Sequence, residues 1–207
     1  MKYLFFFLCT FFLFGCSPEL KKSFSKLSSP EKKWVVFHPF KAKKAFTTTV
    51  EVTKTIDSIA DVDIIGTDNN GGHLDALKHS FWMAALTQQI GDRSAEKLGK
   101  AHEKGNYEHY LKNKMEDGLL PNKAASEMDL FNNKVGISVG KQFLTSSKSI
   151  LIERLLDSLK EGKLRILSKD AKGNFLDCNN AIIPNDSLKK WDTKKCLVPS
   201  NFYKSFR

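Results

Sequence analysis

The amino-acid sequence predicts a mainly α-helical protein: a compact bundle around one buried central helix, with a small β-hairpin near the C-terminus. Residues 73–90 carry apolar side chains on nearly every side of a helical wheel, which is typical of an enclosed helix. Helical periodicity, interrupted by capping residues and glycines, continues from residue 31 to residue 159. Strand-like segments flanking a glycine-containing turn follow after residue 162.

The chain begins with the pattern of a bacterial signal peptide. Lys2 supplies a positive charge, and the apolar run Tyr3–Phe14 is shorter than the about 20 residues that a membrane-spanning helix needs. The run ends in Leu13-Phe14-Gly15-Cys16, which resembles the lipobox read by lipoprotein signal peptidase. We therefore expect export, cleavage before Cys16 and acylation of its thiol, with palmitate among the acyl chains. An ordinary secreted protein is the alternative.

Composition divides the chain into four segments: a signal peptide at 1–15, a lipidated cysteine with a Ser- and Lys-rich tether at 16–30, a helical domain at 31–162, and a hairpin with a disulfide-closed tail at 163–207. Ser17, and not an aspartate, follows the cysteine, so an outer-membrane anchor in the cell envelope is favoured over an inner-membrane one.

The formal net charge is +10, and lysines are densest just after the expected anchor. Next to a lipid anchor, such a surface favours anionic lipid headgroups over nucleic acid as a partner, and a merely solvated surface is the simplest alternative. The lysines of this patch are Lys21, Lys22, Lys26, Lys32, Lys33, Lys41, Lys43 and Lys44.

Two cysteines remain in the C-terminal tail after the signal peptide and Cys16 are accounted for. Cys178 and Cys196 would lie in an oxidising compartment after export, so we predict a disulfide between them. Closing a loop of this size would stabilise the tail by about 3 kcal/mol.

The helical segments follow from capping residues, prolines and glycines. Residues 47–59 fit either a helix or an extended segment, residues 66–72 are a loop, and residues 106–121 are ambiguous. The predicted helices begin or run at Pro39, His73–Ile90, Asp92 to Gly105, Lys123–Thr145 and Ser149–Leu159. The predicted hairpin pairs Lys163–Ser168 with Asn174–Cys178 across a turn at Asp170–Gly173.

Polar residues interrupt the central helix on one face. Asp75 and His79 are four residues apart and therefore lie on the same side of the helix. Burying a carboxylate and an imidazole is costly unless each finds a polar partner. The helix at Lys123–Thr145 offers such partners, because Asp129, Asn132 and Asn133 share a face.

Two glycines extend that polar face. Gly136 and Gly140 continue the stripe of the Lys123–Thr145 helix and would let it approach the central helix closely. His102 and Glu103, on a third helix, complete the predicted polar cluster.

The cluster resembles an uncharacterised bacterial domain family found in secreted proteins and lipoproteins and at the C-termini of some polymorphic toxins. The family pattern runs Asp-Ala-x-Arg-His-x-x-Trp, His-Glu, and Met-Asp-Leu-His-Asn-Asn, and the resemblance covers residues 31 to 168. Lys78 replaces the arginine here, and Phe131 replaces the histidine. The matching segments are Asp75–Trp82, Ala101–Glu103 and Met128–Asn133.

Three interpretations of the cluster follow. In the first, it is a hydrolase centre, metal-dependent or His/Asp-based and phospholipase-like or nuclease-like, with His79 as general base. In the second, it is a buried hydrogen-bond network that fixes helix packing, and in the third it binds a ligand without catalysis. The candidate catalytic residues are Asp75, His79, His102, Glu103, Asp129, Asn132 and Asn133, and the candidate ligands of a divalent metal are His79, His102, Glu103 and Asp129.

Overall fold

A computed structural model describes residues 18–63, 65–115 and 119–202, and Cys16 with the predicted signal peptide lies outside them. No helix in the described ranges is long and apolar enough to cross a membrane. The elements in chain order are α1 (Pro18–Lys26), α2 (Ser29–Phe37), α3 (Pro39–Asp61), α4 (His73–Ile90), α5 (Asp92–Leu111), α6 (Lys123–Gln142), α7 (Lys148–Lys160), β1 (Arg165–Leu167), α8 (Asn185–Leu188) and β2 (Leu197–Pro199).

Helix α4 is the central helix that its apolar sequence predicts. Its apolar side chains are shared between two packed clusters, so neighbours enclose it on several sides. Phe81 and Leu77 pack in one cluster with side chains of α3 and α7, and Met83 and Leu86 pack in the other with side chains of α2 and α5. The predicted fold class, a helical bundle around a buried helix, is confirmed.

Helix α6 approaches α4 at backbone distance, as the glycine stripe predicts. A Cβ atom at Gly136 would overlap the carbonyl oxygen of Ser80, and one at Gly140 would lie 2.6 Å from the carbonyl oxygen of Ala84. Glycine at both positions is therefore required by the packing of the two helices, not by backbone conformation.

The structure decides one ambiguous segment and differs from the sequence prediction in two others. Residues 47–59, which fit either a helix or an extended segment, lie within α3. Helix α5 continues past Gly105 to Leu111, because this glycine provides close contact with the Ser28 side chain and does not stop the helix. The segment expected to be a tether contains helix α1, which begins at a proline suited to the first helical position.

The small antiparallel sheet near the C-terminus is also confirmed, but its strand partner differs. Strand β1 pairs with β2, with Ile166 opposite Val198, whereas residue Phe175 forms only an isolated bridge to Lys169. The Cys178–Cys196 disulfide, with a Cα separation of 4.8 Å, holds the start of β2 beside this segment. A hydrogen bond from the Ser168 amide to the Cys196 carbonyl then places β2 alongside β1.

We predict that Gly136→Ala destabilises the protein by about 1–3 kcal/mol, because the added methyl group forces α6 away from α4. The gain in helix propensity, about 1 kcal/mol, offsets only part of this cost. Urea unfolding of the purified domain measures the difference. Ser138→Ala, on the exposed side of the same helix, is the matched control, and equal stability of both variants would contradict the close approach.

Candidate functional site

Asp75 lies in the first turn of α4 and is held by the preceding loop. Its Oδ2 accepts a hydrogen bond of 2.8 Å from the backbone amide of Gly71. Gly71 has a φ of 83°, and its carbonyl accepts the Leu167 amide at 2.7 Å. A side chain at residue 71 would overlap Leu167, so both the turn and the packing require glycine. The second carboxylate oxygen of Asp75, Oδ1, faces His79 and lies 4.0 Å from Nζ of Lys78.

His79 brings the two carboxylates together. Its Nε2 lies 3.6 Å from Oδ1 of Asp75 and 3.6 Å from Oδ1 of Asp129, which projects from α6. All three side chains are buried, and their metal-binding atoms lie within 4.8 Å of one another. Helices α4 and α6 can present these atoms together because Gly136 and Gly140 remove the side chains that would separate them.

The surroundings of His79 favour the neutral form of its imidazole. Burial lowers its pKa well below the ordinary value of 6.5, and the charges of Lys78 and His102 lower it further. Interaction with the Asn133 side chain acts in the opposite direction but is outweighed. A neutral imidazole is the form that binds metal ions.

The far side of the His79 ring faces Asn133. Nδ1 of His79 and both polar atoms of the Asn133 carboxamide are buried, and none makes a hydrogen bond of normal geometry within the described part of the chain. Since Asn133 raises the pKa of His79, its side chain is the polar neighbour of the ring. An Nδ1–H directed at the amide oxygen would leave the Nε2 lone pair available to a cation held between the two carboxylates.

The three side chains line a cleft of about 190 Å³. Its walls come from the loop before α4, from α5, from the segment leading into α6, and from the C-terminal tail. The lining includes Asn69, Asn70, Lys78, His102, Asn106, Pro121, Asn122, Ser126, Phe175 and Lys195.

His102 lines the same cleft but pairs elsewhere. Its Nδ1 lies 3.0 Å from Oε1 of Glu31 on α2, and its ring packs edge-on against Trp82. Burial raises the pKa of Glu31, but the hydrogen bond and charge of His102, with hydrogen bonds from Ser28, outweigh burial and lower it to about 2. His102 is therefore not one of the three residues whose donor atoms could share a metal ion. Its partner, Glu31, is not revealed by the sequence patterns.

Glu103 and Asn132 point away from the cleft. Glu103 is buried and accepts a 3.2 Å hydrogen bond from the side chain of Asn106. The carboxamide of Asn132 bonds both the amide and the carbonyl of Arg165, at 2.8 and 2.9 Å. Asn132 thus clamps β1 to α6. Of the predicted residues, the structure brings Asp75, His79, Asp129 and His102 to the cleft, with Asn133 behind the His79 ring.

Comparison with known proteins places the chain in a family. The sequence model of DUF6973, described as a domain of unknown function, matches residues 32–163. The chain belongs to this family. No curated protein and no solved structure matches it. The DUF6973 region contains Asp75, His79, His102 and Asp129, whereas Phe175 and Lys195 of the cleft lie beyond the matched residues.

We predict that replacing Glu31 with Gln flattens the acid dependence of stability. Because folding lowers the pKa of Glu31 from 4.5 to about 2, this carboxylate stabilises the protein above pH 4.5 and loses its effect as the pH falls toward 2. The stability gap between the wild-type protein and the variant, about 1–3 kcal/mol at pH 7, should narrow on acidification from pH 5 to 3.

Urea midpoints across that pH range measure the gap. Glu96→Gln removes an exposed carboxylate that pairs only with Lys100 on the same helix and serves as control. A gap that stays constant with pH would refute the Glu31–His102 pairing.

Proposed function

We propose that this DUF6973 chain is a membrane-anchored lipoprotein that carries out hydrolysis at a divalent metal bound by Asp75, His79 and Asp129. The observation that carries the proposal is the convergence of one neutral imidazole nitrogen and two carboxylate oxygens in the wall of a cleft. Nε2 lies 3.6 Å from each carboxylate oxygen, too far for a strong hydrogen bond. Donor atoms around a tetrahedral zinc ion lie about 3.3 Å apart, close to these two distances, and all three donor atoms lie within 4.8 Å of one another.

The geometry around His79 supports a binding site over a purely structural network. A network that only fixes packing gains stability when every buried member is hydrogen-bonded. Here Nε2 of His79 lies 3.6 Å from each carboxylate oxygen, beyond hydrogen-bond distance, and Asn133 lies at Nδ1 on the far side of the ring without a hydrogen bond of normal geometry. An asparagine behind a histidine ligand would orient the ring and fix its tautomer.

A divalent ion in this site would supply Lewis acidity and activate water at neutral pH. The chain's own residues hold the site ready for it. The Gly71 amide fixes the Asp75 carboxylate, burial keeps His79 neutral, and the Glu31–His102 pair lines one wall without competing for the ligand atoms.

Exposed apolar and basic residues support a location at the membrane surface. Val36, Phe37 and Phe40, at the junction of α2 and α3, are 65 %, 78 % and 85 % exposed. Exposed lysines flank them at Lys33 and at Lys41, Lys43 and Lys44. Aromatic side chains ringed by lysines suit an interface with anionic lipid. The proposed lipid at Cys16 would hold this corner near the bilayer.

The motif resemblance extends the proposal to the family. Each of the three motifs supplies at least one residue of the cleft: Asp75 and His79, His102, and Asp129. We propose that these motifs mark the same site in other family members, including those at the C-termini of polymorphic toxins.

We predict that the soluble domain beginning at Ser17 binds zinc or a similar divalent ion near-stoichiometrically and that Asp129→Asn abolishes this binding. The neutral amide removes a charged ligand while keeping the side-chain shape. Asn133→Ala should weaken binding about 10–100-fold, because the ring of His79 loses its orienting partner. Elemental mass spectrometry and calorimetric titration measure metal content and affinity.

Asp157→Asn, at a half-exposed carboxylate on α7, is the matched control and should bind metal normally. Thermal unfolding verifies that each variant is folded. The metal-loaded protein is then assayed against phosphoester, carboxylic ester and peptide substrates, with chelator as a second control. Folded wild-type protein that binds no divalent ion, or that hydrolyses none of these classes, would refute the proposed function.

The anchor has a separate test. Cys16→Ala should abolish labelling with radioactive palmitate and leave the signal peptide uncleaved, because both steps require the Cys16 thiol in the lipobox. Expression of the full chain in a bacterial host, followed by envelope fractionation, measures labelling and size. Cys9→Ala, within the signal peptide, is the matched control. Normal processing of Cys16→Ala would exclude a lipoprotein.

A further inference from the structure

Lys195 is a buried lysine in the wall of the cleft. The residue is only 7 % exposed, and its Nζ lies 3.6 Å from the centre of the Phe175 ring. It makes no hydrogen bond or ion pair with any of the described residues. The side chain is mostly buried, but its ammonium group lines the cleft without an anionic partner among the described residues, so it is placed to bind an anion there.

Lys169 provides an internal comparison, because it contacts the same ring. Its Nζ lies 4.7 Å from the Phe175 centroid, but it also lies 2.5 Å from Oδ2 of Asp68 and donates to the carbonyl of Asn70. The charge of Lys169 is therefore neutralised within the protein, whereas that of Lys195 is not. Burial, with the nearby charge of Lys169, lowers the pKa of Lys195 to about 8, so the group is still protonated at pH 7.

The tail fixes Lys195 in place. The neighbouring Cys196 is bonded to Cys178, and its amide donates to the carbonyl of Leu176 at 2.9 Å. Lys195 thus faces the cleft from a rigid segment that lies outside the region matched by the family. The wall that it forms belongs to the tail that follows the matched region.

We propose that Lys195 anchors a phosphate subsite in this cleft, and that the substrate of the proposed hydrolase is a phosphate ester. The subsite would lie in the same cleft as Asp75, His79 and Asp129. Lys78 and Asn69 also line this cleft. An ammonium group with several amide donors suits the tetrahedral, multiply charged oxygens of a phosphate. The two nearby carboxylates would repel such an anion unless positive charges offset them. Lys78, Lys195 and the proposed metal would supply these positive charges.

The reaction class rests on the proposed function, whereas phosphate binding does not. In hydrolysis, the oxygen of water would bond to phosphorus while the bond from phosphorus to the alcohol oxygen breaks. The departing alcohol oxygen takes up a proton, which gives an alcohol and a phosphate product.

The test measures inorganic phosphate binding to the disulfide-intact soluble domain by calorimetry, with zinc and separately with chelator. Lys195→Met keeps the length of the side chain and its contact with Phe175, and should weaken phosphate binding about 10-fold or more. Lys194→Met, at the exposed preceding residue, is the matched control and should bind as wild type. Zinc affinity and thermal stability are measured on all three proteins.

Weaker phosphate binding by Lys195→Met, with zinc affinity retained, supports the subsite. Wild-type affinity in this variant, no phosphate binding by the wild-type protein, or equal losses for zinc and phosphate would overturn it. If the wild-type protein binds phosphate but not zinc, the subsite stands while the proposed metal centre fails. Competition by glycerol phosphate compared with phosphatidylglycerol vesicles then distinguishes a soluble ester from a lipid headgroup.

Discussion

The approach of α6 to α4 is the constraint on which the rest of the site depends. Gly136 and Gly140 let the two helices meet at backbone distance, and this contact brings Asp129 within 3.6 Å of His79. A larger side chain at either glycine would separate the donor atoms even if every polar residue were kept. The same contact positions Asn132, which clamps β1 and thereby holds the tail against the bundle.

Charge balance explains how polar groups persist in this interior. Two carboxylates and an imidazole meet in the lining of the cleft, Lys78 lies 4.0 Å from the Asp75 carboxylate, and Lys195 lies in the same lining. Beside these side chains, Glu31 and His102 form a hydrogen bond with each other. We expect this arrangement to become more stable when a cation and an anion bind in the cleft together.

Much of this fold could be predicted from sequence, because its signals are local. The apolar circumference of residues 73–90, the i, i+4 spacing of Asp75 and His79, and the glycine stripe each depend on one helix at a time. Contacts between distant segments could not be predicted. The partner of His102 is Glu31, 71 residues away, and β1 pairs with β2, which begins next to the disulfide-bonded Cys196.

The position of Lys195 in the cleft could not be predicted from the sequence either. Nothing in the sequence around it distinguishes it from Lys194, and only the folded tail shows that one is buried and the other exposed. Conversely, Glu103 and Asn132 share segments with cleft residues but bond elsewhere. The polar residues of these helices can be read from the sequence, whereas the side chains that reach the cleft depend on helix rotation and on the tail.

X-ray absorption spectroscopy of the zinc-loaded soluble domain shows directly which atoms bind the metal. We predict that zinc has only nitrogen and oxygen neighbours, at about 2.0–2.1 Å, with outer-sphere scattering from a single imidazole, contributed by His79. Scattering from sulfur, from two or more imidazoles, or from water alone would contradict a site built from Asp75, His79 and Asp129.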